Sequence, residues 1–211
     1  MKKSNNDMLK KISRQQAQKG FSIFPSITFR NKKEEYHYPK IFKTYILTIP
    51  SKTFKGHSKL MGKNLQSLVE KLKFDSLIFS GDTDFPWLGQ TNDYKPVKDA
   101  IDFLVKNKIG KKFNGAIQVP LNELPEFISH LSWLTRCNAS LPMIYFTDKD
   151  QTLLGSICKY GNLHIDTIDK VADGKIKEII KEGLFIDMTG KNCTNRFGKS
   201  SAMRGRVLIV D

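Results

Sequence analysis

Apolar residues recur along the chain with two different periods, and the switching between them predicts the order of its elements. Residues 43–50 (KTYILTIP) are β-branched and aromatic and predict a strand. Residues 58–73 place Met61, Leu65, Leu68 and Leu72 on one stripe of a helix, with Lys59, Lys63 and Gln66 on another face. A strand over 76–80 follows. Residues 96–105 return to the helical period through Val97, Ile101, Leu104 and Val105, and Gly110 closes that segment. A short strand over 116–119 stops at Pro120, and a helix over 123–136 carries Pro125 in its first turn, where a missing N–H costs nothing.

The second half repeats the alternation. A strand over 143–147 leads to a hairpin, 152–158 and 162–167, about Tyr160-Gly161. A helix over 168–182 ends at Gly183, and strands over 184–188 and 207–210 flank a loop rich in Gly, Ser, Thr and Asn. Upstream of residue 43 the signals are weaker. Residues 1–20 are polar and basic and read as a flexible arm or a short helix capped near Asp7. Residues 21–29 are an extended run broken by Pro25, and 30–40 a charged, Tyr-bearing connection. The expected architecture is α/β or α+β: one domain over 21–211, with a mixed β-sheet flanked by about four helices, behind a basic arm over 1–20.

With 211 residues, 39% of them hydrophobic, the chain is long enough to bury a sizeable core. Charge changes the picture more. The net charge is +14, and residues 1–73 hold 17 Lys and Arg against 4 Asp and Glu, whereas 74–211 hold 18 against 17. Almost all the excess is therefore N-terminal, and such a field attracts polyanions or an acidic protein face. Three widely spaced cysteines, Cys137, Cys158 and Cys193, show neither a disulfide framework nor a C-x-x-C pair, which favours a reducing cytoplasm. The basic start lacks the apolar segment of a signal peptide, and nowhere do eighteen apolar residues run together, so membrane insertion is not expected.

Candidate chemistry centres on Ser80-Gly81-Asp82-Thr83-Asp84-Phe85. Two carboxylates at i and i+2 after a strand suit a hard divalent cation, which takes oxygen ligands. The segment SLIFSGDTDF, followed by Pro86-Trp87-Leu88, resembles a motif of NYN/PIN-like metal-dependent ribonucleases, over about a dozen residues. That resemblance implies Asp82 and Asp84 as metal-site carboxylates, with Mg or Mn as the ion. The early strand carries no carboxylate matching the family's first motif; Asp187, in Leu184-Phe185-Ile186-Asp187, would supply one only in a permuted order. Asp148 and Asp150 repeat the i, i+2 spacing but sit between two expected strands, where such side chains bond their own turn.

Basic residues offer a second set. Lys32, Lys33, Lys40, Lys59 and Lys63 belong to the basic third; Lys191, Arg196, Lys199 and Arg204 lie in the late glycine-bearing loop, a workable phosphate cradle. Gly198-Lys199-Ser200 does not complete a Walker A loop, because the required earlier glycine falls on Cys193. Tyr36, Tyr38, Phe42 and Tyr45, interleaved with lysines, are of a type that stacks bases. His37, His57, His130 and His164 show no triad or metal spacing. The leading expectation is a non-enzymatic basic binding protein, a regulator or inhibitor that docks on nucleic acid or on an acidic face of a nucleic-acid-handling machine and needs no cofactor. The alternative is a divalent-metal nuclease using Asp82, Asp84 and Asp187.

Overall fold

The computed structural model describes residues 9–30, 33–89, 93–137 and 141–197. In chain order the elements are β1 (Lys10–Ile12), α1 (Arg14–Gly20), β2 (Ser26–Arg30), β3 (Lys33–His37), β4 (Lys43–Thr48), α2 (Phe54–Lys71), β5 (Ser76–Gly81) and α3 (Lys95–Lys106). They continue with β6 (Ala116–Pro120), a 3-10 turn (Leu121–Glu123), α4 (Leu124–Cys137), β7 (Ile144–Thr147), β8 (Leu153–Ile157), β9 (Leu163–Thr167), α5 (Lys170–Lys181) and β10 (Ile186–Asp187). Eight strands form one sheet in the order β1-β6-β5-β7-β8-β9-β4-β10, and β2 and β3 form a separate ribbon.

The fold is the single mixed α/β domain expected, in its α+β form. Every ladder is antiparallel, so the sheet is not mixed in strand direction. Period-2 alternation builds two faces. Leu77 and Phe79 of β5, Ile117 and Val119 of β6, Phe146 of β7, Ile165 of β9 and Leu47 of β4 join the large core cluster beneath the helices. Ile78 points the other way, onto Ala17 of α1 and Ala116. Leu154 and Tyr145 likewise meet Ile23. All six residues of β5 are buried because both of its faces are covered.

Helix α2 begins a turn earlier than the hydrophobic stripe implied, with the Thr53 hydroxyl accepting from Gly56 N–H at 3.1 Å. It buries Met61, Leu65, Leu68 and Val69, each contributing about 1.5–3 kcal/mol of apolar burial. Its approach to α4 is set by Gly62: a Cβ there would lie 2.5 Å from the Pro125 carbonyl oxygen and 2.8 Å from the Pro125 Cα.

The N-terminal segment departs most from expectation. Its first eight residues, including Asp7, lie outside the described residues, as does the strand expected over 207–210. From Leu9 onward the arm is part of the fold. Lys10–Ile12 pairs with β6 at the sheet edge, and Ser13 closes a capping box with Gln16 at the start of α1. The connection over 30–40 contains β3, whose charged sequence KEEYH pairs with β2 without any apolar alternation to announce it. The last strand is only Ile186–Asp187, added to β4.

Two glycine substitutions should separate packing from backbone freedom. Gly62→Ala should destabilise the protein by about 1–3 kcal/mol, because the atoms it meets belong to the main chain and have nowhere to rotate. Gly174→Ala, in α5 with nothing within 4 Å, should be stabilising by up to about 1 kcal/mol. Denaturant midpoints at unchanged m-value would check both.

Candidate functional site

Among the described residues, the basic positions of the chain lie on several separate elements. Lys10, Lys11 and Lys19 lie along the β1–α1 edge, and Lys33 and Lys40 lie in or after β3. Lys59 and Lys63 lie on α2. There they continue a row: Lys55, Lys59 and Lys63 follow one another at i+4 spacing, all exposed, with Lys52 exposed just ahead of Thr53. The row covers about 12 Å of helix. Among the described residues none of the four takes part in an ion pair. Glu70, a full turn or more beyond, is the helix's sole acidic residue.

Tertiary structure brings part of the late loop to the start of this helix. Arg196 donates from Nη2 to the Thr48 hydroxyl. Next to it, the Phe197 ring packs on Phe54 and His57, with centroids 5.4 and 5.0 Å apart. Beneath lies Arg136, fully buried, its guanidinium 4.4 Å from the Phe54 ring centre and donating to the Lys159 carbonyl and Asn195 Oδ1, each at 3.0 Å. Burial, reinforced by Arg196 and Arg136, holds His57 below the ordinary histidine value, despite its 2.7 Å hydrogen bond from Nε2 to the Gly161 carbonyl. Arg196 is thus placed near the N-terminal end of α2, while Lys191 is exposed earlier in the same loop. Lys32, Lys199 and Arg204 lie outside the described residues.

The carboxylate turn has a different environment. Arg14 of α1 reaches across to it, with Nε 3.0 Å from Asp84 Oδ1 and Nη1 donating to the Gly81 carbonyl at 2.7 Å. Asp84 is exposed, whereas Asp82 is half-buried and its Oδ1 has no hydrogen-bond partner among the described residues. Burial holds the Asp82 carboxyl above the ordinary carboxylate value, only partly offset by backbone hydrogen bonds and by Arg14. The turn borders a cleft of about 610 Å³ lined by Arg14, Phe21, Phe24, Ser80, Asp84 and Phe85, among others.

The other carboxylates do not join this turn. Asp187 is in β10, five inter-strand steps from β5 across the sheet, roughly 24 Å at the usual spacing. Its Oδ1 accepts from Thr189 N–H at 2.7 Å. Asp148 follows β7, whose last residue pairs with Ile78 while its first pairs with Gly81, so Asp148 lies level with the start of β5, at the opposite end from Asp82 and Asp84. It is fully buried and accepts from the N–H groups of Asp150 and Thr152, at 3.0 and 2.8 Å, as a turn carboxylate does. Mg²⁺ or Mn²⁺ would need ionised oxygens turned to one point. With Asp84 held by Arg14 and Asp187 remote, the described residues do not bring together the convergent carboxylates that such an ion needs.

Between these regions the second sheet face is polar. Asp166 accepts from the Tyr38 and Thr44 hydroxyls, both at 2.6 Å, and the Tyr36 and Tyr145 hydroxyls are 3.1 Å apart. Tyr38, Thr44, Tyr145 and Asp166 line, with Ser156 and His164, a cleft of about 240 Å³. Tyr36, Tyr38 and Phe42 are exposed, but Tyr45 is not available for stacking: it is buried on the helix side, its hydroxyl bonded to Asp173. His37 is exposed beside Glu35, and His130 stacks on Phe103 at 4.5 Å.

Sequence spacing missed a further group. Cys158, His164 and Cys193 place their donor atoms within 4.8 Å of one another. A search for C-x-x-C pairs passes over them. The available signal was the hairpin: Cys158 and His164 flank its turn at positions that a β-ladder turns to the same face. Arg14 and Arg136 were also missed, since their partners are 70 and 59 residues away.

Asp82 yields a pH prediction. Its folded pKa lies above the unfolded value, so its contribution is full below the unfolded pKa and is lost as pH rises through the folded one. Asp82→Asn should therefore melt above wild type at neutral pH, and the gap should close as pH falls toward about 4. Thermal melts over that range test this; a Mg²⁺- or Mn²⁺-dependent rise in the wild-type melting temperature that Asp82→Asn abolishes would reverse the conclusion about the ion. Compared with known proteins, the chain matches no family model, no curated protein and no solved structure.

Proposed function

We propose that this protein is a non-enzymatic binding protein that docks a polyanion, either nucleic acid or an acidic protein face, on the exposed side of α2. The observation that carries the reading is the row Lys55, Lys59 and Lys63, exposed and without ion-pair partners among the described residues, with Arg196 brought to its N-terminal end. A rigid helix holding three ammonium groups at one-turn intervals neutralises a linear array of anions with little ordering cost. The positive end of the α2 dipole adds to the field where Arg196 sits. A regulator or inhibitor of a nucleic-acid-handling machine fits this chemistry, because charge on one rigid surface raises the rate of encounter and is answered by phosphate or carboxylate alike.

The nuclease reading rests on the resemblance of SLIFSGDTDF and on the unpartnered Asp82 oxygen, but the described residues do not bring Asp187 to that turn. No helix among the described residues is long and apolar enough to cross a membrane.

Reversing Lys59 and Lys63 to Glu together should weaken binding to a labelled oligonucleotide, measured by fluorescence anisotropy. It should also reduce the slope of log K against log salt by about 2 if the ligand is duplex phosphate. Reversing Lys95 and Lys98 on α3 should change neither by a comparable amount. An acidic polypeptide run in parallel separates the two partner classes by which ligand competes more strongly. Equal binding by wild type and the double reversal at low salt overturns the proposal.

A further inference from the structure

Cys158, His164 and Cys193 come from three segments and meet at one point. Cys158 follows β8, and the pairing of its N–H with the Asn162 carbonyl at 3.0 Å continues the β8–β9 ladder past Ile157 and Leu163. Cys158 and His164 are then diagonal neighbours on the same face of that hairpin, the separation at which side chains of this size touch. Gly161 makes the turn possible, at φ +84 and packed against His57. Cys193 arrives from the loop after β10. Its Sγ lies 3.4 Å from His164 Nε2 and accepts from Asn162 Nδ2 at 3.2 Å.

We propose that these three side chains form a zinc site, unrelated to the carboxylate turn and independent of the polyanion reading. The donor chemistry is two thiols and an imidazole, which are soft and borderline ligands suited to zinc and ill suited to Mg²⁺ or Ca²⁺. The geometry agrees. Zn–S and Zn–N bonds of about 2.3 and 2.1 Å at the tetrahedral angle put S and N about 3.6 Å apart, close to the 3.4 Å between Cys193 and His164. A Cys₂His set supplies three positions of a tetrahedral ion, the fourth being taken by water or another small ligand. Asn162, buried and donating to Cys193 sulfur, is placed as an outer partner that orients a ligand.

Burial holds His164 below the ordinary histidine value, which favours the neutral imidazole that an ion takes. Burial and the nearby Cys193 push the Cys158 thiol up to about 11, so an ion bound there must work against that shift and displace the Cys158 proton. Zinc here would tie the loop that carries Arg196 and Phe197 to the β8–β9 hairpin.

The test is titration of the full chain, reduced and freed of metal under anaerobic conditions, with Co²⁺ followed by Zn²⁺. The expected result is one Co²⁺ per chain, with visible bands of tetrahedral cobalt and a thiolate-to-cobalt charge-transfer band in the near ultraviolet, both displaced by Zn²⁺. Cys193→Ser, in an exposed loop, should weaken the charge-transfer band and lower affinity by more than about tenfold, and Asn162→Ala by about ten- to hundredfold. Cys137→Ser, away from the cluster, should bind as wild type does. A chain whose thiols are all titratable but which takes up no cobalt overturns the proposal. So does uptake that Cys193→Ser leaves unchanged. A Cys158–Cys193 disulfide in freshly isolated protein whose reduction restores no metal uptake also overturns it, and identifies the pair as a redox couple instead.

Discussion

The close packing of α2 against α4 and the sheet is the constraint on which most of the surface features depend. Gly62 lets the two helices approach until only a hydrogen fits against Pro125, and Met61, Leu65, Leu68 and Val69 seat the helix on the strands. A helix so seated can present only one side to solvent, and that side carries the lysines. The same placement sets where its first turn falls. Phe54 and His57 there receive Phe197, Gly161 and, through Phe54, the buried guanidinium of Arg136.

The second face of the sheet follows another logic. It is covered by the shorter N-terminal segment, through two small apolar clusters: Ala17 on Ile78 and Ala116, flanked by Ile12, Phe21 and Phe24, and Ile23 on Tyr145 and Leu154. The remaining positions are polar and must satisfy one another. Asp166 takes hydrogen bonds from Tyr38 and Thr44, and Arg14 spans the turn after β5 to reach Asp84 and the Gly81 carbonyl. Covering this face with a thin layer leaves clefts of about 610 and 240 Å³ on it, against a hollow of about 60 Å³ lined by Leu72, Leu153 and Ile176 on the helix side.

Antiparallel order also decides which charged groups meet. In a sheet where neighbouring strands run in opposite directions, the turns that follow successive strands fall at opposite ends. Carboxylates placed after β5 and β7 therefore separate, although their strands are adjacent. Asp187 separates for a second reason, since its strand is added at the far edge. The hairpin does the reverse for Cys158 and His164, folding them back onto one face, and the loop after β10 closes the group with Cys193.

Hydrophobic period by itself determined the strands and helices from residue 43 to 182, because each buries one stripe or one face and that requirement is written locally. It determined the amphipathic helix bearing Lys59 and Lys63, the turn nature of Asp148, and a fold in which helices pack on a sheet. It did not reveal β1 or β3, whose charged residues form ladders through backbone groups that every residue possesses. Strand direction, the distance between Asp82 and Asp187, the reach of Arg14 to Asp84, and the meeting of Cys158, His164 and Cys193 were decided by tertiary structure alone. Each depends on which segments become neighbours across many residues of sequence, and that is set by the packing of whole layers, not by any local pattern.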